Sequence, residues 1–400
     1  RLCHLGVYST WNQIDFMTVK RITGGKRMFL ALKEMKHAKT RFTMIGAIIM
    51  LIAWLVFILS GLGNGLSSLA AATMKNIDGD YFVYEEGSGG SMMKTKVSGD
   101  IAADVKGQYG VEEATLFGQS TIIVYKDGAD ESLEKNDVAF IGVEAGNFIE
   151  PKVVEGSALD ASNPYGVLVD ESLMDKGYEI GDKLIVTSSN LELEIIGMVK
   201  GETFNHLPTV FGHVETWQSY AFAAPGSDNG LSNPVSMIAL QGKDINPEAI
   251  ANHYDKIEVI TKSEAVMGMP GYKEESATIY MMLAFLMVIS AIIIAVFFYV
   301  FILQKTQQFG VMKAIGASDS FIKKSIISQV FVLSLVSIII GIVLTYLTAL
   351  VFPEEMPFSL DFKMVVLYAV ILLAVSVLGS VVSARRVTKI DPLTALGRVE

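Results

Sequence analysis

The chain has one cysteine, Cys3, in 400 residues. A disulfide framework is therefore excluded, and any domain here folds on its apolar core alone. No glycine-rich phosphate loop closing on Gly-Lys-Ser/Thr occurs, so ATP is not bound by that route and energy, if used, comes from a partner. The four long apolar runs contain no Asp, Glu, Lys, Arg or His. Ion-coupled transporters place ionisable groups or broken helices at mid-membrane, so ion coupling is not expected. His206, His213 and His253 are too far apart for a local metal motif; bringing two of them together requires the Pro-containing segment between His206 and His213 to fold back. Isolated surface histidines are far commoner, and neither a metal centre nor a catalytic residue is expected, because a triad is recognised by geometry that spacing does not supply.

What the chain does have is apolar length. The runs at 42–65, 277–303, 326–352 and 364–384 each reach the ~20 residues that cross hydrocarbon as a helix. A hydrophobic share of 51%, a charged share of 18% and a mean hydropathy of +0.43 agree with an integral membrane protein. Charge is unevenly spread. Residues 66–277 hold 14 Lys, no Arg and 34 Asp+Glu, a balance of −20 against −10 for the whole chain, so the remainder carries +10. The basic residues hug the runs: Lys33, Lys36, Lys39 and Arg41 before the first; Lys305, Lys313, Lys323 and Lys324 between the second and third; Arg385, Arg386, Lys389 and Arg398 after the fourth. By the positive-inside rule these segments are cytoplasmic, both termini face in, and the acidic block faces out together with the loop 353–363 and its Glu354, Glu355 and Asp361. An acidic exterior opposes nucleic acid as a ligand.

The expected fold is therefore membrane α-helical, four transmembrane helices with an α+β extracytoplasmic domain (66–276) inserted between the first and second. Residues 1–27 lack a signal-peptide pattern and are expected to be a non-native or disordered extension. Residues 28–41 form an amphipathic interfacial helix, with Phe29, Leu30, Leu32 and Met35 set against Lys33, Lys36 and Lys39. Gly61 and Gly65 either admit a close neighbouring helix or mark fraying. Within the domain, strands are predicted at 81–84, 120–125, 138–143 and 166–169, then a helix at 171–176 ended by Gly177, a Gly181-Asp182 turn, and a hairpin of 183–187 with 192–199. A helix at 248–254 and a strand at 256–260 follow. The Gly/Ser-rich stretch 85–92 reads as a mobile loop.

Between the second and third runs, Phe309, Met312 and Ile315 recur every three residues, predicting a short amphipathic helix. Gly316 suits its C-terminus, and Ser318 or Asp319 suits the N-cap of the next helix. The stretch Gln304-Lys305-Thr306-Gln307-Gln308-Phe309-Gly310-Val311-Met312-Lys313-Ala314-Ile315-Gly316-Ala317 resembles the signature of FtsX/MacB-type ABC transporter permeases. The tail Ile390-Asp391-Pro392-Leu393-Thr394-Ala395-Leu396 and the unit from Gly166 through Gly181-Asp182 to Ile196-Gly197 resemble the same family, as does the order of one span, large domain, three spans. Within it, Phe297-Phe298-Tyr299-Val300, Met356-Pro357-Phe358 and the opening Met28-Phe29-Leu30-Ala31-Leu32-Lys33-Glu34-Met35 are most similar to HrtB-type permeases of bacterial haem exporters.

The resemblance implies a homodimeric, non-catalytic subunit in a bacterial plasma membrane, bound to two ABC ATPase subunits that hold the ATP. It implies that the segment 304–325 couples to the ATPase through Phe309, Met312, Lys313, Ile315 and Gly316. It also implies mechanotransmission, with haem as cargo. No intrinsic cofactor is expected. Haem is a flat apolar macrocycle whose iron accepts His, Met, Tyr or Cys. Tyr280, Met281, Met282 and Phe285, with Trp54, Phe57 and Met74, are the residues expected to line a pocket between the first two spans; the plainer reading of each is membrane packing or an aromatic belt. Two alternatives stand beside haem export: another amphiphilic cargo (a lipid, a lipoprotein, a peptide antibiotic), or a signalling scaffold that moves nothing across the membrane.

Overall fold

The computed structural model describes residues 39–128, 135–353 and 356–387. Cys3 and the extension 1–27, the interfacial helix up to residue 38, Glu354, Glu355 and the tail motif at 390–396 lie outside the described residues. The chain divides into a helical unit, Arg1–Asn64 with Ile279–Glu400, and a β-rich unit, Gly65–Thr278.

Helix α1 (Lys39–Asn76) opens the described chain. The β-rich unit then runs β1 (Tyr81–Glu85), β2 (Val97–Ser98), α2 (Asp100–Val105), β3 (Glu113–Lys126), β4 (Asn136–Val143), β5 (Val153–Gly156), β6 (Gly166–Asp170), α3 (Glu171–Met174), β7 (Lys183–Val186), β8 (Leu191–Val199), β9 (Thr203–Phe204), β10 (Leu207–His213), α4 (Val214–Ala221), β11 (Pro234–Val235), β12 (Met237–Gln241), α5 (Pro247–His253), β13 (Ile257–Thr261) and α6 (Lys262–Met267). Helices α7 (Tyr272–Gln304), α8 (Thr306–Ala314), α9 (Asp319–Ala349) and α10 (Phe362–Val387) complete it. Among the described residues, α1, α7, α9 and α10 are the four helices long and apolar enough to cross a membrane.

In the β-rich unit one mixed sheet runs in the order β13-β1-β12-β3-β4-β10-β6-β8-β5. Most pairs are antiparallel, while β10 lies parallel to β4 and β6 parallel to β8. Alternation along the strands fills two cores, one containing Val124, Phe140, Ile195 and Trp217, the other Phe82, Phe117, Ile141 and Phe211. Trp217 of α4 lies where Gly118 of β3 faces Gly142 of β4; a side chain at either glycine would overlap the indole. Its Nε1 donates to Ser120 Oγ at 2.9 Å.

Helix α1 does not stop at residue 65 as the hydropathy suggests but runs on to Asn76. Two features of the β-rich unit explain this. Ala70, Ala71, Ala72 and Met74 are buried there, and where the helix leaves helical geometry at Ala71 (φ −144°, ψ 23°) its carbonyls find new donors. Asn205 and His206, both in left-handed conformation, donate their N–H groups to Ala70 O (2.8 Å) and Leu69 O (3.0 Å). Helix α7 likewise starts at Tyr272 rather than 277, with Glu274 and Glu275 in its first turn, where acidic groups favour the helix N-terminus. The third span ends at Ala349, short of 352, and the fourth helix starts at Phe362 rather than 364.

The Gly/Ser stretch after β1 is pinned rather than loose. Ser88 is buried and donates to Glu258 Oε1 at 2.9 Å, Glu86 N donates to Lys256 O, and Gly90 sits so near Gly268 that a side chain on Gly268 would strike its backbone.

In the helical unit small residues let helices approach closely. A side chain at Gly46 of α1 would meet Leu333 and Ser337 of α9 at 3.2 Å, and one at Gly341 of α9 would meet Ala53 of α1 at 2.9 Å. Gly61 is such a place too, but its neighbour is the ring of Phe358 from the loop before α10, not a helix. Ser359 N donates to Gly61 O at 3.0 Å, and Asn64 Nδ2 donates to Ser359 O at 3.1 Å. Buried hydroxyls of Ser290, Thr345 and Ser376 turn back to the carbonyl four residues earlier, which pairs those three donors inside the bundle.

Candidate functional site

The segment between α7 and α9 is built by its capping residues. Helix α7 breaks at Lys305 (φ −94°, ψ 0°), and α8 follows at once. At its end Gly316 adopts φ +98°. Gly316 N donates to Lys313 O and Ala317 N to Met312 O, both at 2.9 Å, which is a Schellman closure with glycine in the left-handed position. Ser318 then caps α9 by accepting from Phe321 N, and Lys313 Nζ pairs with Asp319 Oδ1 at 2.7 Å across the turn.

This geometry divides the five expected coupling residues. Ile315 is 80% exposed and Gly316 is exposed beside it. Phe309 and Met312 instead pack against the core of the helical bundle, and Lys313 is occupied by Asp319. The period of three fails at Ile315 because α8 ends at Ala314 and the chain reverses there. The outward face consists of Gln307, Gln308, Val311, Ala314 and Ile315. Val311 and Ala314 were absent from the expected set; the available signal was their spacing, Val311 four residues after Gln307 and Ala314 three after Val311.

The expected cargo pocket does not assemble from its seven residues. Phe57 is fully buried in the helical core. Trp54 turns to the third span, its Nε1 donating to Thr348 Oγ1 at 3.1 Å. Met74 is fully buried in the core of the β-rich unit. Only Tyr280, Met281, Met282 and Phe285 stay together, exposed on α7 at the head of an apolar stripe that continues through Val288, Ile292 and Val296. Phe57 and Met74 are thus buried packing residues, Trp54 is part-buried and turned to the third span, and the last four are left exposed. A second apolar feature, unforeseen from the sequence, is a groove of about 270 Å³ between α9 and α10, lined by Leu335, Ile342, Tyr346, Phe362 and Val366 among others. That is below the usual range for sites that enclose a drug-sized ligand.

The histidines do not converge either. Residues 207–213 form the strand β10 instead of folding back, so His206 and His213 stand at opposite ends of it. His206 Nε2 lies 3.0 Å from Glu275 Oε1, and His253 packs edge-on to Tyr254. In the β-rich unit two buried carboxylates adjoin: Glu202 N donates to Asp170 Oδ2 at 2.7 Å, and Asn76 Nδ2 donates to Glu202 Oε1 at 2.9 Å. Burial raises both carboxyls above their ordinary values, against the hydrogen bonds that lower them.

Comparison with known proteins agrees with this architecture. Residues 42–255 match the MacB-like periplasmic core domain, and residues 280–392 match the FtsX-like permease C-terminal family. The chain is 25% identical over 373 residues to a hemin transport system permease protein HrtB of Staphylococcus haemolyticus (strain JCSC1435), covering 93% of this chain and 100% of that one. It is 26% identical over 372 residues to an uncharacterised ABC transporter permease of Mycobacterium tuberculosis (strain CDC 1551 / Oshkosh), covering 92% and 99%. The crystal structure of the periplasmic region of MacB from Actinobacillus actinomycetemcomitans aligns with a TM-score of 0.35 at 13% identity, covering 48% of this chain and 94% of that one.

Proposed function

We propose, for a chain that belongs to the FtsX/MacB type of ABC transporter permeases, that it is the membrane subunit of an exporter whose cargo is haem and whose ATP is hydrolysed by a separate ABC ATPase. The observation that carries the reading is the tip after α8, where Ile315 is 80% exposed on a turn closed by Gly316. An apolar side chain held out on a turn closed by glycine, with other apolar residues beside it, is well placed for a groove on a partner. Val311 and Ala314 extend the same face.

In this reading the subunit works as a homodimer with two ATPases in a bacterial plasma membrane, termini and tip in the cytoplasm, β-rich unit outside. The excess of positive charge on the tip side and the −20 balance of residues 66–277 support that orientation. Closure of the ATPases displaces α8, and the spans pass the movement outward as packed helices. The apolar runs 42–65, 277–303, 326–352 and 364–384 hold no Asp, Glu, Lys, Arg or His, so cargo enters sideways from the membrane rather than through a polar channel.

Haem as cargo rests on the similarity to permeases named for hemin transport and on the ligand chemistry left exposed at Tyr280, Met281 and Met282. A second reading, another amphiphile, is favoured by equal identity to uncharacterised ABC permeases. A strain lacking the chain separates the two: haem export predicts loss of haemin tolerance, restored by the wild-type gene and not by Ile315→Asp. Unchanged tolerance with persistent chain-dependent ATP hydrolysis would refute haem and favour the other cargo.

A further inference from the structure

We infer that Lys305 is a positioning residue that ties the driven segment to three spans at once, an assignment that rests on the reading of α8 as the driven element. Lys305 occupies the break between α7 and α8, yet is only 6% exposed. Its Nζ donates to Oε1 of Gln329 on α9 at 3.1 Å, with Gln329 itself 2% exposed. The same ammonium lies 5.1 Å from the ring centroid of Phe42 on α1 and 4.9 Å from that of Phe301 on α7. Those two rings meet edge to face at 5.1 Å. One cation therefore touches α1, α7 and α9 at the joint where α8 begins, and Phe309 N, within α8, donates to Lys305 O at 3.0 Å.

Lysine is almost never buried this far without partners, and desolvating an ammonium is costly. A leucine or methionine would fill the space without that cost, so packing does not explain a lysine here. An ammonium supplies what an apolar residue lacks: directional attraction to a carboxamide and to two aromatic faces, which persists while the neighbours slide. The inward residues of α8, Phe309 and Met312, pack on the same core as Phe42 and Phe301. A displacement of α8 turns about residue 305 and reaches α1 through Phe42 and α9 through Gln329. A cation buried at the margin of a membrane bundle marks function more often than stability.

The test uses the full-length chain in open membrane fragments of its host, with Cys3→Ser and a reporter Met356→Cys in the loop before α10, where Met356 is 40% exposed. The rate of maleimide modification is compared with and without ATP plus orthovanadate. With Lys305 intact the rate should change at least threefold. In Lys305→Met the change should vanish while chain-dependent ATP hydrolysis stays within twofold, and Lys305→Arg should restore it. A purely structural lysine would instead leave the nucleotide response in place, and a Lys305→Met chain that responds like wild type overturns the inference. No response in the wild type refutes the driven segment itself, and the inference with it. If Lys305→Met does not accumulate, Gln329→Leu takes its place: the response should at least halve, and an unchanged response overturns the assignment.

Discussion

Glu275, in the first turn of a membrane-spanning helix, meets His206 of the turn between β9 and β10 at 3.0 Å, while the backbone N–H of that same His206 caps Leu69 O near the end of α1. One residue of the β-rich unit thus holds the ends of two long helices within that unit. Lys75, 5.0 Å over the Tyr272 ring, and the Ser67–Ser276 hydroxyl pair at 3.3 Å lie between the same two segments.

His206→Ala should loosen that clasp. The pair is about one-third exposed, so the loss in stability is modest, about 0.5–1 kcal/mol. The clearer sign is faster hydrogen exchange at 272–278, with the sheet strands unchanged.

Gly61→Ala should displace the Phe358 ring and cost about 1–3 kcal/mol, because the added methyl occupies the space of the ring. Phe358→Ala in the same chain should recover most of that loss. Thermal unfolding of the two single variants and the double variant measures the coupling.

Ile315→Asp and Met312→Asp should part company. Ile315 is exposed, so its substitution should shift stability by no more than about 0.5 kcal/mol and abolish chain-dependent ATP hydrolysis coupling. Met312 packs inward, and a carboxylate there should cost about 2 kcal/mol or more and lower the amount of folded chain in the membrane.

Glu202 has a carboxyl raised by burial next to Asp170. A raised acid stabilises the fold below its ordinary value, and that contribution is lost as pH rises through the raised one. Glu202→Gln keeps an acceptor for Asn76 and removes the charge, so the variant should gain on wild type as pH rises from 5 to 8. Unfolding temperature of the full-length chain in detergent across that range checks the sign.

The spans, the strands from β6 to β8 and the helix before β13 were legible because each follows from a local pattern: apolar length, alternation, or a glycine at a turn. Gly177 and Gly181 do adopt the positive φ that their turns require. Relations between distant segments were not legible. Nothing in the sequence around Gly118 and Gly142 says that a tryptophan 99 and 75 residues further on will lie across them. The run-on of α1 depends on a turn at 205–206 that supplies two N–H groups. At the site, residue type was read well and direction poorly: Phe309, Met312, Phe57 and Met74 all face inward, because burial is decided by neighbouring helices and strands that periodicity over one turn does not contain.

The account depends on the tip after α8 lying on the ATP side of the membrane. Ile315→Cys in a Cys3→Ser chain, treated with a membrane-impermeant maleimide, tests this most directly. The tip should resist modification in intact cells and react once the cells are permeabilised; modification in intact cells would contradict the account.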